Sequence, residues 1–147
     1  MRLMKCVLIA AALVSTGCGD EMPTDPTDQP TNLTGTWRGN ITVSNLTAIM
    51  TWTLTQTGSA VTGPVVIGLP SGAVLMNGNV AGTLSGSTLP FTLTVPPGGI
   101  PTQPGCSGQI TGANGVTGSS TMNGTYTVAS STCTTGLTNG TFTLTRQ

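Results

Sequence analysis

In Thr51-Trp52-Thr53-Leu54-Thr55-Gln56-Thr57 a threonine stands at every second position, with apolar Trp52 and Leu54 between the first three, and Met50 extends the apolar set backwards. A period of two puts Met50, Trp52 and Leu54 on one face of an extended strand and the threonines on the other. Threonine suits the second face because its branched Cβ favours extended backbone while its hydroxyl stays in water. A segment of this kind is a half-buried strand with one wet side, the usual state in an antiparallel sheet.

The same period recurs along the chain. Leu89, Phe91, Leu93 and Val95 alternate with Thr88, Pro90, Thr92 and Thr94; Tyr126 and Val128 with Thr125 and Thr127; Phe142 and Leu144 with Thr141, Thr143 and Thr145. Turn signals punctuate it at Gly58-Ser59, Asn77-Gly78, Ser85-Gly86-Ser87, Asn114-Gly115 and Asn139-Gly140. These predict about eight strands, near 35–43, 46–57, 60–67, 79–84, 88–95, 106–112, 116–128 and 139–145, with Asn123-Gly124 splitting or bulging the seventh. Residues 96–105 read as a loop, and no stretch after the N-terminal segment has helical periodicity. The expected fold is all-β, an antiparallel up-and-down β-barrel of about eight strands, with a β-sandwich as the alternative. A solenoid fits less well because no fixed repeat emerges.

Charge narrows the chemistry. Only 5% of the 147 residues are charged, against a usual quarter, and there is no histidine. From residue 29 onwards there is no Asp, Glu, Lys or His, and Arg38 and Arg146 are the only ionic side chains. A Ser-His-Asp triad, a carboxylate pair and a His or carboxylate metal site cannot be built from such a segment. General acid–base work would fall to Tyr126 or a cysteine. The reading is therefore no catalytic residues, no metal site, no cofactor and not an enzyme. Nucleic acid is excluded as a partner too, since two arginines cannot neutralise a phosphate backbone.

The N-terminus reads as an export address. Arg2 and Lys5 precede an apolar run from Cys6 to Val14, which is followed by small residues. The run is too short for a stable bilayer-spanning helix. Its ending, Ser15-Thr16-Gly17-Cys18, resembles the bacterial lipoprotein signal, in which the cysteine is acylated and becomes the mature N-terminus. The family favours Leu three residues before the cysteine, where this chain has Ser15. The resemblance implies a signal peptide at 1–17 and lipidation of Cys18, with membrane contact through the lipid. A plain signal peptide, giving a secreted or periplasmic protein, is the alternative. Residues 18–32 carry all four acids with Pro23, Pro26 and Pro30, the composition of a solvated tether. In lipoproteins an acid directly after the cysteine favours inner-membrane retention; Gly19 stands there, which leans towards the outer membrane of a bacterial cell envelope.

With Cys6 removed and Cys18 lipidated, Cys106 and Cys133 remain, and an even pair in an exported domain is expected to form a disulfide. Residues 33–147 form the folded domain. It opens with Leu33-Thr34-Gly35-Thr36-Trp37 and ends with Thr143-Leu144-Thr145-Arg146. This resembles the calycin pattern of lipocalins and avidins, a Gly-x-Trp on the first strand and an Arg on the last. The resemblance implies that Arg146 lies across Trp37 and closes one end of the barrel. Strand parity points both inward. The opening is also similar to that of avidins, but their site needs further tryptophans, and only Trp52 is present besides Trp37, so biotin is not implied.

Three functions fit. A barrel of eight strands can hold one small ligand, and the inward side chains Met50, Trp52, Leu54, Leu89, Phe91, Leu93, Met122 and Tyr126, with Val65, Ile67 and Leu84, would line an apolar calyx. Alternatively those residues simply fill the barrel, and the chain is a structural or surface-interaction lipoprotein whose Thr- and Ser-rich faces meet an envelope component. The threonine row Thr51, Thr53, Thr55, Thr57 is also of the kind seen on ice-binding faces, although barrel twist spoils a flat lattice match.

Overall fold

The computed structural model describes residues 31–43, 46–117, 119–134 and 138–147. The expected signal segment, Cys18 and nearly all of the expected tether lie outside the described residues. Eight strands form one closed barrel in which each pairs with its sequence neighbour and the last pairs with the first, all antiparallel. They are β1 Gly35–Val43, β2 Leu46–Thr57, β3 Ala60–Gly68, β4 Val74–Thr83, β5 Thr88–Val95, β6 Gly108–Thr117, β7 Thr121–Ser131 and β8 Gly140–Arg146. The sandwich alternative is excluded by closure.

Alternation carries through to burial. Ala48, Met50, Trp52 and Leu54 of β2 are buried while Thr47, Thr53 and Thr55 are exposed, and β5 buries Leu89, Phe91, Leu93 and Val95 in the same way. Outside, register sets Thr55, Thr62, Ala81, Thr92, Thr111 and Thr127 opposite one another across β2 to β7. The wall is therefore a hydroxylated surface, and closure bends it away from a plane.

Two expected turns lie inside strands. Asn77-Gly78 is in the middle of β4, and the β3–β4 reversal is made earlier, at 69–73, where Gly72 has φ 93° and Leu69 N–H donates to Ala73 O at 2.8 Å. Gly78 is required for another reason: a Cβ there would sit 2.7 Å from Thr94 O and 3.1 Å from a Leu93 methyl. Asn114-Gly115 lies inside β6, with Asn114 buried and facing the interior. In consequence β4 begins five residues earlier than expected and β6 runs on to Thr117. β7 passes straight through Asn123-Gly124; its irregularity comes later, where register jumps from Gln109↔Ser130 to Ile110↔Val128 and leaves Ala129 unpaired. Leu84 falls just past the end of β4 and is half-buried.

The two ends of the barrel differ. At one end the connections are short, Gly58-Ser59 and 84–87, and the chain enters and leaves there through Leu33 and Arg146. That end is filled by Leu33, Trp37, Leu54, Val61, Leu89, Met122 and Leu144, all 2% exposed or less. The other end carries the longer connections 69–73, 96–107 and 132–139. This asymmetry places the site.

Candidate ligand cavity

A cavity of about 370 Å³ opens at the end with the long connections, within the range usual for small-molecule sites. Its walls are Ile41, Met50, Ile67, Met76, Leu93 and Ile110, all pointing inward by strand parity. Aromatic rings make its floor. Trp52 meets Phe91 edge-on at a centroid distance of 5.1 Å and Phe142 at 5.2 Å, and Tyr126 lies 6.3 Å from Phe142. These are favourable separations and tilts for ring pairs. Of the inward residues expected from the sequence, Met50, Trp52, Phe91, Leu93 and Tyr126 line the cavity. Leu54, Leu89 and Met122 also face inward, but they pack the filled end below the ring cluster and do not reach it.

Glycines seat the rings. Gly82, Phe91, Gly112, Tyr126 and Gly140 stand opposite one another across β4 to β8, small and aromatic in alternation. A Cβ on Gly112 would lie 2.7 Å from Phe91 Cζ, and one on Gly140 2.6 Å from the Tyr126 hydroxyl. Bare backbone opposite a ring lets the ring lie against the wall, which keeps space open above the cluster. Burial pushes the Tyr126 phenol above its ordinary pKa.

The mouth carries Leu46, Leu75, Ile100, Thr102, Gln103 and Thr138. Ile100 is buried although it sits on the long 96–107 connection, which folds over the opening. That connection is held by its own hydrogen bonds, Gly98 N–H to Pro104 O at 2.7 Å and Gln103 N–H to Ile100 O at 2.9 Å, and by Asn77 N–H to Gly99 O at 2.7 Å. Cys106 and Cys133 form a disulfide, joining it to the β7–β8 connection. Thr134 adds two hydrogen bonds to Gln103 Oε1, from its N–H and its hydroxyl, each 2.9 Å. The sequence had marked the cysteines and the loop separately; only the fold sets them over the opening.

At the sealed end Trp37 pairs with Arg146 across β1 and β8, and the guanidinium carbon stands 4.8 Å from the Trp37 ring centroid. Trp37 Nε1 donates to Leu33 O at 2.8 Å, and Arg146 Nη2 donates to Asn32 O. No group of three or more metal-ligating side chains occurs among the described residues, and no helix long and apolar enough to cross a membrane occurs among them.

Neither a family model nor a curated protein matches this chain. Two solved structures are similar to it. One, a redesigned β-barrel, is 17% identical with a TM-score of 0.57, over 78% of this chain and 91% of the other. The second, the redesigned β-barrel mFAP1 bound to DFHBI, is 18% identical with a TM-score of 0.57, over 78% of this chain and 94% of the other. At this identity the likeness is one of fold. The class is thus a closed, eight-stranded, up-and-down barrel with one sealed end and a cavity at the other.

Proposed function

We propose that the protein is a non-catalytic binding barrel that holds a small, largely apolar molecule in the open-end cavity. The observation that carries this reading is the cavity itself: about 370 Å³ bounded by aliphatic walls and an aromatic floor, beneath a connection tied in place by a disulfide. A barrel that served only as a scaffold could fill both ends, as this one fills the end around Trp37. One of the similar barrels holds a small molecule, so the architecture accommodates one. The absence of His, Asp, Glu and Lys from residue 29 onwards supports binding over turnover.

We further propose that the chain is exported and tethered to a bacterial cell envelope, the outer membrane by preference, through lipid on Cys18, with residues 18–32 as spacer. The chain enters the barrel at the sealed end, so an anchor there would leave the mouth facing away from the membrane. A surface-interaction component of the envelope that takes no ligand is the second reading, favoured by the uncharged threonine rows of the outer wall; its expected filled barrel is not what the structure has, since the open end keeps a cavity.

Native mass spectrometry on protein taken from its own membranes tests these readings together. Acyl mass on Cys18 and a stoichiometric small-molecule adduct released on denaturation are expected. An unmodified Cys18 would overturn the anchor. A bare barrel that also takes up no apolar probe would leave the surface-component reading.

A further inference from the structure

Polarity is graded along the cavity. Its threonines and glutamine, Thr102, Gln103 and Thr138, all belong to the long connections at the mouth, whereas the strands supply aliphatic and aromatic side chains. Only two lining residues on the strands carry a side-chain nitrogen or oxygen, Trp52 and Tyr126. Trp52 Nε1 is enclosed by protein, with essentially no accessible surface, and is out of reach of a molecule in the cavity. The Tyr126 hydroxyl differs. It too has no hydrogen-bond partner among the described residues, yet it is not enclosed.

The sheet fixes where that hydroxyl lies. Tyr126 points inward from β7, is 7% exposed and lines the cavity. Its ring reaches across to β8, where a Cβ on Gly140 would stand 2.6 Å from the hydroxyl. Gly140 is the first residue of β8, and Thr138 of the mouth precedes it by two. The hydroxyl is therefore on the mouth side of the rings of Trp52, Phe91 and Phe142. Burial raises its pKa, so at neutral pH the phenol keeps its proton and can both donate and accept. A largely buried polar group without a protein partner gains most from one on a ligand.

We propose that the cavity takes amphiphilic molecules apolar end first, with a hydroxyl or carbonyl oxygen at the other end hydrogen-bonded to the Tyr126 hydroxyl beneath the mouth. This rests on the cavity being a binding site. Two probes of one shape test it: 2-acetylnaphthalene carries a carbonyl, and 2-isopropylnaphthalene does not. Both are titrated at neutral pH into the full-length protein and its Tyr126→Phe variant. The substitution is expected to weaken the acetyl compound about fivefold, the worth of one net hydrogen bond, and to leave the isopropyl compound within about twofold. In the wild type, nuclear Overhauser contacts should join the acetyl methyl to Thr138 and the far ring of the naphthalene to Trp52. Binding of neither probe to the wild type would overturn the cavity reading and this proposal with it. Binding of the isopropyl compound alone, or the same effect of Tyr126→Phe on both probes, would overturn this proposal and leave the cavity standing. So would contacts that set the acetyl group against Trp52. Those contacts need only the wild type, so they decide the matter even where the variant does not fold.

Discussion

Arg146 lies across Trp37 with its guanidinium carbon 4.8 Å from the ring centroid, so the last strand closes the barrel floor over the first. The same guanidinium reaches Asn32 O, which fixes the chain where it enters the barrel. Arg146→Met keeps the aliphatic stem but removes the cation–π contact and that hydrogen bond. A loss of about 1–3 kcal/mol is expected, read as a lower urea midpoint with unchanged slope. Probe affinity should not change, because the cavity is at the other end.

Gly112 tests whether the rings need bare backbone opposite them. Its added Cβ would meet Thr125 O at 2.2 Å and Phe91 Cζ at 2.7 Å. Gly112→Ala should therefore destabilise by about 1–3 kcal/mol, as overpacking does. Gly105→Ala, where a Cβ meets nothing within 4 Å, should stay within about 0.5 kcal/mol. Thermal melts of both variants decide the matter; equal melting points would remove the argument.

Asn114 is 1% exposed, donates through Nδ2 to the Met122 sulfur at 3.1 Å, and leaves Oδ1 without a partner. Replacing a buried, half-satisfied amide with an apolar group of similar shape removes an unrecovered desolvation cost. Asn114→Leu is expected to raise stability by about 1–2 kcal/mol, measured by urea unfolding.

Opening the Cys106–Cys133 bridge should act on the whole molecule and on the mouth. Cys106→Ser with Cys133→Ser is expected to cost about 2–4 kcal/mol. Hydrogen exchange should accelerate first at the Gly98 and Gln103 amides, whose partners are Pro104 O and Ile100 O in the cap. Exchange that rises uniformly along the chain would show that the bridge does not hold the cap in particular.

Stability should be nearly flat with pH from about 5 to 9, since no Asp, Glu, Lys or His follows residue 28 and both remaining cysteines are bridged. Tyr126 changes this at high pH. Burial raises its folded-state pKa above the unfolded value, so the unfolded chain gives up the phenolic proton first. Its contribution is complete below about pH 10, the unfolded pKa, and is lost as pH rises through the folded value. The urea midpoint should fall above that pH, and Tyr126→Phe should lessen the fall.

Asn77-Gly78 and Asn114-Gly115 show where local reading stops. Each pair is a strong hairpin signal by itself, yet Gly78 and Asn114 both face the barrel interior. Their neighbours across the sheet, Leu93 and Met122, decide that conformation, and such neighbours lie on the next strand, beyond the reach of a two-residue turn signal. Phe142 shows the same limit for the site: its inward parity was legible, but not its place among the cavity rings.

The sequence by itself determined the number of strands, the buried side of the alternating ones and the poverty of charge, because period and composition are properties of the chain alone. The pairing of Cys106 with Cys133 followed only with Cys6 and Cys18 set aside, as the lipoprotein resemblance implies. Tertiary structure decided which inward residues became solid core and which became cavity wall. Leu54 and Trp52 share one face of β2, yet only Trp52 lines the cavity. The difference arises from height along the barrel axis, which closure and register set, and from glycines on other strands that give the rings their room.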